Sequence, residues 1–363
     1  MNKMKRVLSI GLTLLLVLPF NLMADSKPLV TSIEFSEIDP LMEIRNLTVE
    51  MAEDGYEDAE DGVQNQLQAI NKAIADLDAI GFAPADPLAP LPYESAIGAL
   101  LATQRASLVA QRKALLDTDL EEAELQMKMA IDSVTWGTEL LYITYNNLAL
   151  QVEQLIASKK LTEKQIAALK VQEELGMVTE LAVEKAENEL SGLADSITQL
   201  EHSRDRIKQQ INIALFQGFD TDIEIGDVPR VLAPQITSID VDSDYDDAWE
   251  ESYDVLLNED ESAKEEDEIL RKFEKSFYNS YETLMEKMAT LEIEEDKMKV
   301  AQKSYNIAEL KHTLGMISDL QFETEKNTYE SQKTAVKLAE DAQFQAYRVY
   351  EWAKEGLIVS AGS

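Results

Sequence analysis

The residues of this sequence best suited to chemistry are acids in a calcium-like spacing. Asp240, Asp242, Asp244 and Glu251 fall at positions 1, 3, 5 and 12 of a calcium loop, where carboxylate oxygens would coordinate the ion. The sixth position, at which such a loop needs glycine for its sharp turn, is Tyr245. The spacing therefore does not predict a specific calcium site.

The two histidines are His202 and His312, on separate predicted helices. Zinc needs several nitrogen or sulfur ligands close together, and neither histidine has a second such residue nearby in the sequence. We expect both to lie on solvated helix faces. His312 stands two residues before Leu314, so a pH effect on contacts made by that segment stays open.

Other chemical signatures are missing from the sequence. It has no cysteine, and so no thiol nucleophile, disulfide or lipid-modified cysteine. It also lacks a glycine-rich phosphate loop, a nucleophile elbow and a histidine-anchored triad. The formal net charge of −36 would repel a phosphate backbone. We expect no catalytic activity, no cofactor, no metal and no nucleic-acid partner.

The amino terminus resembles a secretory signal. Lys3, Lys5 and Arg6 precede an apolar run over residues 7–20, and Ala24 ends a small-residue cleavage site. We predict that residues 1–24 are a signal peptide. An uncleaved membrane anchor is the alternative, although the apolar run is short for a bilayer span.

The elements that position any site are predicted to be long helices, because apolar residues recur at coiled-coil spacing and most Gly and Pro are clustered. After a turn at Ile38-Asp39-Pro40, the first half (25–227) contains a helix over 47–79, a Pro-rich loop over 81–92, a single helix over about 95–175 and a returning helix over about 180–217. Residues 220–225 alternate like a short strand. Residues 228–268 are predicted to be a solvated acidic linker with a short helix over 249–257. The second half covers 269–357, with a tail at 358–363.

One seven-residue motif occurs twice. Leu175-Gly176-Met177-Val178-Thr179-Glu180-Leu181 returns 139 residues later as Leu314-Gly315-Met316-Ile317-Ser318-Asp319-Leu320. A glycine after a long helix is a common left-handed terminator. Thr179 and Ser318 can each cap the next helix, and Gln321 completes a capping box with Ser318. Each motif therefore predicts a helix, a tight turn (175–179 and 314–318) and a second helix, as in a tandem repeat of helical hairpins.

The apex of each predicted turn is apolar: Met177-Val178 in the first copy and Met316-Ile317 in the second. These side chains could contact a partner protein. They could equally fold back as a hydrophobic staple on their own helices. Turn chemistry alone leaves both interpretations open.

Both motifs, in the windows 171–181 and 310–320, resemble the periplasmic turns of the TolC-type outer-membrane efflux family. Residues 186–190 (Ala-Glu-Asn-Glu-Leu) and 218–225 also resemble segments of that family. The resemblance covers roughly 140–227 and 277–356. It implies an all-α protomer of an elongated coiled-coil body, an α-barrel assembled as a homotrimer in the cell envelope, and no enzymatic reaction.

The resemblance also implies partners. The tips would dock a periplasmic adaptor (membrane fusion) protein, and through it an inner-membrane pump that supplies the energy for export. The contacts implied position by position are Leu175, Gly176, Met177, Val178, Thr179, Leu314, Gly315, Met316, Ile317 and Ser318.

The sequence departs from that family opposite the tips. There, family members that cross an outer membrane insert pairs of amphipathic strands of about 9 to 11 residues. Residues 81–92 and 258–261 supply no such strands, so we expect a member with no or minimal β-barrel. A non-conducting coiled-coil scaffold or spacer of the envelope is the alternative function.

Overall fold

The computed structural model describes residues 27–80, 92–116, 120–258 and 263–359. The predicted signal peptide, nearly all of the Pro-rich loop and residues 360–363 lie outside the described residues. The described elements, in chain order, are β1 (Ser32–Ile33), a short 3-10 helix (Phe35–Glu37), α1 (Ile38–Arg45), α2 (Leu47–Ile80), α3 (Pro92–Leu116), α4 (Glu121–Glu174), α5 (Glu180–Ala214), β2 (Glu224–Ile225), α6 (Ala233–Thr237), α7 (Val241–Glu250), α8 (Tyr253–Leu256), α9 (Ala263–Thr313) and α10 (Asp319–Lys354).

Two long antiparallel hairpins make up most of the described chain. α4 packs against α5, α9 packs against α10, and α10 also packs against α4. No proline interrupts these four helices, so their backbone hydrogen bonds can continue for many turns. The predicted all-α class is confirmed, since the only strands among the described residues are β1 and β2, two residues each and paired in parallel. No described helix is long and apolar enough to cross a membrane.

The core lies at the end of the hairpins away from the two turns. Buried side chains of β1, α1, α4 and α5, among them Ile33, Met42 and Tyr142, form one cluster with Phe344 of α10. Phe273, Phe277 and Tyr350 lead a second cluster, between α9 and α10. From Tyr142 to the turn at Gly176 the chain rises roughly 50 Å at 1.5 Å per helical residue. The arms beyond the core therefore depend mainly on contacts between neighbouring helices.

The single helix predicted over about 95–175 is wrong. The structure has two helices there, α3 and α4, and Leu120 is the N-cap of α4. Residues 117–119, between the two helices, lie outside the described residues. α4 then opens with Glu121, Glu122 and Glu124, which the positive end of the helix dipole favours.

The prediction of a solvated linker over 228–268 is also wrong. Helices α6, α7 and α8 lie within it and bury Ile236, Ala248 and Tyr253. The Tyr253 hydroxyl donates a hydrogen bond to Asp132 of α4 at 2.5 Å. Gly356 approaches the Glu251 carbonyl so closely that a Cβ would clash with it. Most acids among the described residues of this segment are exposed, while its few apolar residues pack against the rest of the protein.

Two local predictions near the amino terminus and after α5 need correction. Ile38-Asp39-Pro40 is the first turn of α1 and not a separate turn, since proline lacks only an N–H that the first turn leaves unused.

The sequence also suggests Gly218 as the end of the returning helix. The structure instead ends α5 at Ala214 and places Phe216 at a φ of 50°.

Phe216 can adopt this left-handed conformation because its surroundings fix it. The buried Asn212 side chain donates hydrogen bonds to the carbonyls of Phe219 and Thr221, and accepts one from Gln217. The amides of Phe216 and Gln217 bond back to the last turn of α5. The equivalent end of α10 uses Gly356, at a φ of 84°.

A buried carboxylate joins the two hairpins near the core. Glu139 of α4, 3% exposed, receives two hydrogen bonds from the Arg348 guanidinium of α10, at 2.7 and 3.1 Å. The Trp352 indole N–H donates a third at 2.9 Å. The Arg348 guanidinium also lies over the Trp352 ring, 5.3 Å from its centroid. A buried charge is tolerated only when paired in this way, so this contact fixes how α10 lies on α4.

We predict that Glu139→Ala lowers the free energy of unfolding by about 3 to 5 kcal/mol, because it leaves the Arg348 charge without its partner. Denaturant unfolding followed by circular dichroism measures the loss. Arg271→Ala, which removes the exposed Arg271–Asp267 pair of α9, is the matched control and should leave the midpoint unchanged. Equal midpoints for Glu139→Ala and the parent chain would contradict the assignment.

Candidate functional site: the two hairpin tips

The two repeated motifs form the turns that join α4 to α5 and α9 to α10. Gly176 and Gly315 have φ values of 71° and 70°, in the left-handed region. In the first tip, the Gly176 and Met177 amides donate to the carbonyls of Glu173 and Gln172, both at 2.8 Å. In the second, the Gly315 and Met316 amides make the same two bonds to His312 and Lys311. This is the Schellman arrangement, and it satisfies carbonyls that a helix end leaves free.

The helices that leave the tips are capped differently. Ser318 accepts a hydrogen bond from the Gln321 amide, and the Gln321 side chain accepts one from the Ser318 amide, so the predicted capping box is confirmed. The predicted side-chain cap at Thr179 is wrong. The residue three positions on is Ala182, which has no side-chain acceptor, and its amide bonds instead to the Thr179 carbonyl.

The side chains of the leucines and methionines at the two turns are largely exposed to solvent. Leu175 is 69% exposed, Met177 72%, Leu314 64% and Met316 68%. Val178 and Ile317 are half-buried. Of the two interpretations left open by the sequence, the folded-back staple therefore applies at most to Val178 and Ile317. The leucines and methionines form an apolar knob at each tip.

An additional contact distinguishes the second tip. Nε2 of His312, in the last turn of α9, lies 2.7 Å from Oδ1 of Asp319, in the first turn of α10. The His312 ring also stacks on Phe322 at 4.6 Å between centroids, with 10° between the planes. The pairing of His312 with Asp319 was not predicted from the sequence. Their seven-residue spacing across the predicted turn could have indicated it.

Charged pairs join neighbouring helices near the first tip. Lys170 of α4 binds Glu187 of α5 at 2.7 Å, and this hydrogen bond raises the pKa of the lysine. Lys164 of α4 binds Glu323 of α10 at 2.6 Å and holds the pKa of that carboxyl below its usual value. The second pair connects the two hairpins about three turns from the first tip.

A row of exposed apolar residues follows the outer face of α9. Ile293, Val300 and Ile307 recur every seventh residue, and each is more than half exposed. Residues at this interval lie on one side of a helix, as residues at one of the two apolar positions of a coiled-coil heptad do. Among the described residues nothing covers this seam, which the sequence analysis did not single out.

The acids with calcium-like spacing make structural hydrogen bonds. Asp240 caps α7 through the Ser243 amide, Asp242 accepts a hydrogen bond from Tyr278, and Asp244 accepts one from Tyr350. These acids therefore point at different partners and do not converge on one ion. In the described ranges, no three His, Cys, Asp or Glu side chains group as metal ligands. His202 is exposed on α5.

We predict that alanine at Gly176 or Gly315 loosens the tip, since a left-handed residue with a Cβ costs roughly 1 to 2 kcal/mol. Space is not the cause, because a Cβ at either position would meet no atom within 4 Å. Gly192→Ala in α5 is the control, with equal space and ordinary helical geometry, and should stabilise its helix. Hydrogen exchange of the tip amides measures the difference. Slower or unchanged exchange at the substituted tip would contradict the prediction.

No family model matches the sequence, and no curated protein is detectably similar to it. Solved structures do resemble the fold. The Campylobacter jejuni CmeC outer membrane channel matches with a TM-score of 0.58 at 10% identity, over 91% of this chain and 87% of that one. A membrane protein from Pseudomonas aeruginosa matches with a TM-score of 0.51 at 11% identity, over 90% and 91%. The predicted TolC-type architecture is thereby confirmed at the level of the fold, which this chain shares with the CmeC outer membrane channel.

Proposed function

We propose that this chain is a duct component for efflux or secretion in the cell envelope, of the TolC type. Copies associate side by side as a trimer, and the two tips of each copy dock a periplasmic adaptor protein. An inner-membrane pump, reached through the adaptor, drives export. The chain itself performs no reaction.

The exposed apolar knobs carry this proposal. Leu175, Met177, Leu314 and Met316 lie at the ends of two arms, far from the core, and their burial is not needed to fold the chain. Large apolar side chains in such a position lose solvent contact only when a partner covers them. The contacts proposed for docking are Leu175, Gly176, Met177, Val178, Thr179, Leu314, Gly315, Met316, Ile317 and Ser318.

The paired arrangement supports the same proposal. Both tips have the same turn geometry, with glycine φ values within 1° of each other and the same two backbone hydrogen bonds. Two rigid turns of equal shape suit a partner that presents the same element repeatedly around a ring. The similarity in fold to the CmeC outer membrane channel agrees with this role.

The seam on α9 supports self-association. Its three residues, Ile293, Val300 and Ile307, extend over two heptads, and a row of apolar residues at such spacing favours the packing of helices from separate chains. The occupant we propose is a second copy of this chain, because a closed ring of protomers covers the seam of every copy.

We predict that Ile307→Glu dissociates the trimer to monomers, because it places a charge in the apolar seam. Light scattering coupled to size-exclusion chromatography measures the mass. The control is Asn306→Glu, which adds the same charge on the neighbouring exposed position of α9 and should leave the trimer intact. A parent chain that is itself monomeric or dimeric would refute the trimer and favour the envelope scaffold.

We predict that the double variant Met177→Asp and Met316→Asp binds the adaptor of its own cell at least tenfold more weakly. Both side chains are exposed, so folding is preserved, and an apolar anchor at the centre of an interface is worth about 2 kcal/mol or more. Pull-down and surface plasmon resonance measure the affinity.

The control for docking is Leu29→Asp, which changes an equally exposed apolar residue at the core end of the molecule. It should bind the adaptor as the parent chain does. Unchanged binding of the double variant, or an equal loss with Leu29→Asp, would refute docking through the tips.

A further inference from the structure

The four long helices form an open row. α5 packs on α4, α4 packs on α10, and α10 packs on α9, so α5 and α9 are the two edges of the row. A ring in which every copy uses the same pair of edges closes when α9 of one copy lies against α5 of the next. The uncovered seam on α9 and the outer face of α5 are therefore the surfaces to compare.

The relative height of the two hairpins follows from two contacts between them. Glu139 is 37 residues from the glycine of the first turn, and its partner Arg348 is 33 residues from the glycine of the second. For Lys164 and Glu323 the distances are 12 and 8 residues. A residue of the first hairpin is thus level with one that is four residues nearer the turn in the second. Rotation about an axis along the arms preserves these levels, so they also hold between neighbouring copies, to within about one helical turn.

The outer face of α5 carries three exposed charged residues. Glu184, Asp195 and Arg206 follow one another at intervals of 11 residues, which is close to three helical turns and places them on one face. The buried Ile197 lies on the opposite face. This charged face of α5 therefore points away from the helix on which α5 packs.

At the levels of the two acids, α9 is basic. Glu184 is level with Lys311, at the tip end of α9. Asp195 is level with Val300, the middle residue of the seam, and Lys303 is three residues farther along. Both lysines are exposed. The acids of α5 thus match exposed lysines that border the seam.

At the level of the arginine, α9 is acidic. Arg206 is level with Ala289, and Glu286 and Glu292 are three residues to either side of it. Both glutamates are exposed. The order of charges from the tip to the core is therefore acid, acid, base on α5 and base, base, acid on α9. This complementarity suits two copies of the chain that stand at the same height.

We propose that α5 of one copy covers the α9 seam of the next, and that these opposite charges fix the height at which the two helices meet. The contact rests on the trimer of the proposed function and assigns the surface that closes it. Between the levels of Val300 and Ile307, α5 has Ser191 and Gly192, whose small side chains leave room for the seam. A slip of one heptad would bring Asp195 beside Glu292, so the wrong register is disfavoured by repulsion.

Disulfide cross-linking tests the register in the full-length protein, because the natural chain has no cysteine. Asp195→Cys combined with Val300→Cys should give covalent trimers on oxidation, since the two positions are level. Asp195→Cys combined with Ile293→Cys, displaced by one heptad or roughly 10 Å, is the matched control and should cross-link far less. Stronger cross-linking of the control pair, or cross-linking of Val300→Cys alone between copies, would overturn the proposal.

Charge exchange tests the electrostatic part. Asp195→Lys should raise the dissociation constant of the trimer at least about tenfold at low salt, because a repulsive contact recurs at every interface of the ring. Adding Lys303→Glu should restore the parent value. Glu189→Lys makes the same charge change at an exposed position about 120° around α5 and should leave dissociation unchanged. Analytical ultracentrifugation measures the constants, and a double variant that is no tighter than Asp195→Lys would overturn the pairing.

The outcomes separate this contact from the proposed function. A parent chain that is monomeric in light scattering refutes the trimer and the contact together. A trimeric parent whose Asp195→Cys and Val300→Cys variant does not cross-link overturns the contact alone.

Discussion

The carboxylate of Glu139 holds the two hairpins of this protein against each other. It is buried between helices that lie far apart in sequence, and it is satisfied by Arg348 and Trp352 of α10. The parts of the four long helices between this contact and the tips bury few side chains. The direction in which α10 leaves the core, and so the position of the second tip relative to the first, depends on this contact. The Lys164–Glu323 pair repeats the connection nearer the tips, but at the surface, where an ion pair contributes far less.

The two tips share one backbone turn and differ in the side chains that support it. Above the first tip, Ile166 and Val183 are buried aliphatic residues. Near the second, the Tyr305 ring packs against the rings of Phe322 and Tyr329. The turn itself needs only glycine and the helix-end hydrogen bonds, so the flanking positions were free to diverge.

Local chemistry made parts of the structure predictable from sequence. The turns at Gly176 and Gly315 follow from glycine after a long helix, and the box formed by Ser318 and Gln321 follows from residues three apart. Features that depend on distant contacts were not predictable. Glu139 and Arg348 are 209 residues apart, and the acidic segment after β2 is docked by only a few apolar side chains. Phe216 takes a conformation expected of glycine because Asn212 and its partners impose it. The seam on α9 was readable as a heptad pattern, but only the structure shows that α10 leaves it uncovered.

In the proposed function the apolar tips, and not the core end, meet an adaptor. Because the natural chain has no cysteine, single cysteines can be placed at Met177, Met316 and, as a reference at the core end, Ile44, which is also largely exposed. Cross-linking in intact cells with a short thiol-to-amine reagent, followed by mass spectrometry, identifies the neighbour of each position. The account predicts adducts with the adaptor from Met177→Cys and Met316→Cys and none from Ile44→Cys. Adaptor adducts from Ile44→Cys alone, or from none of the three positions, would contradict it.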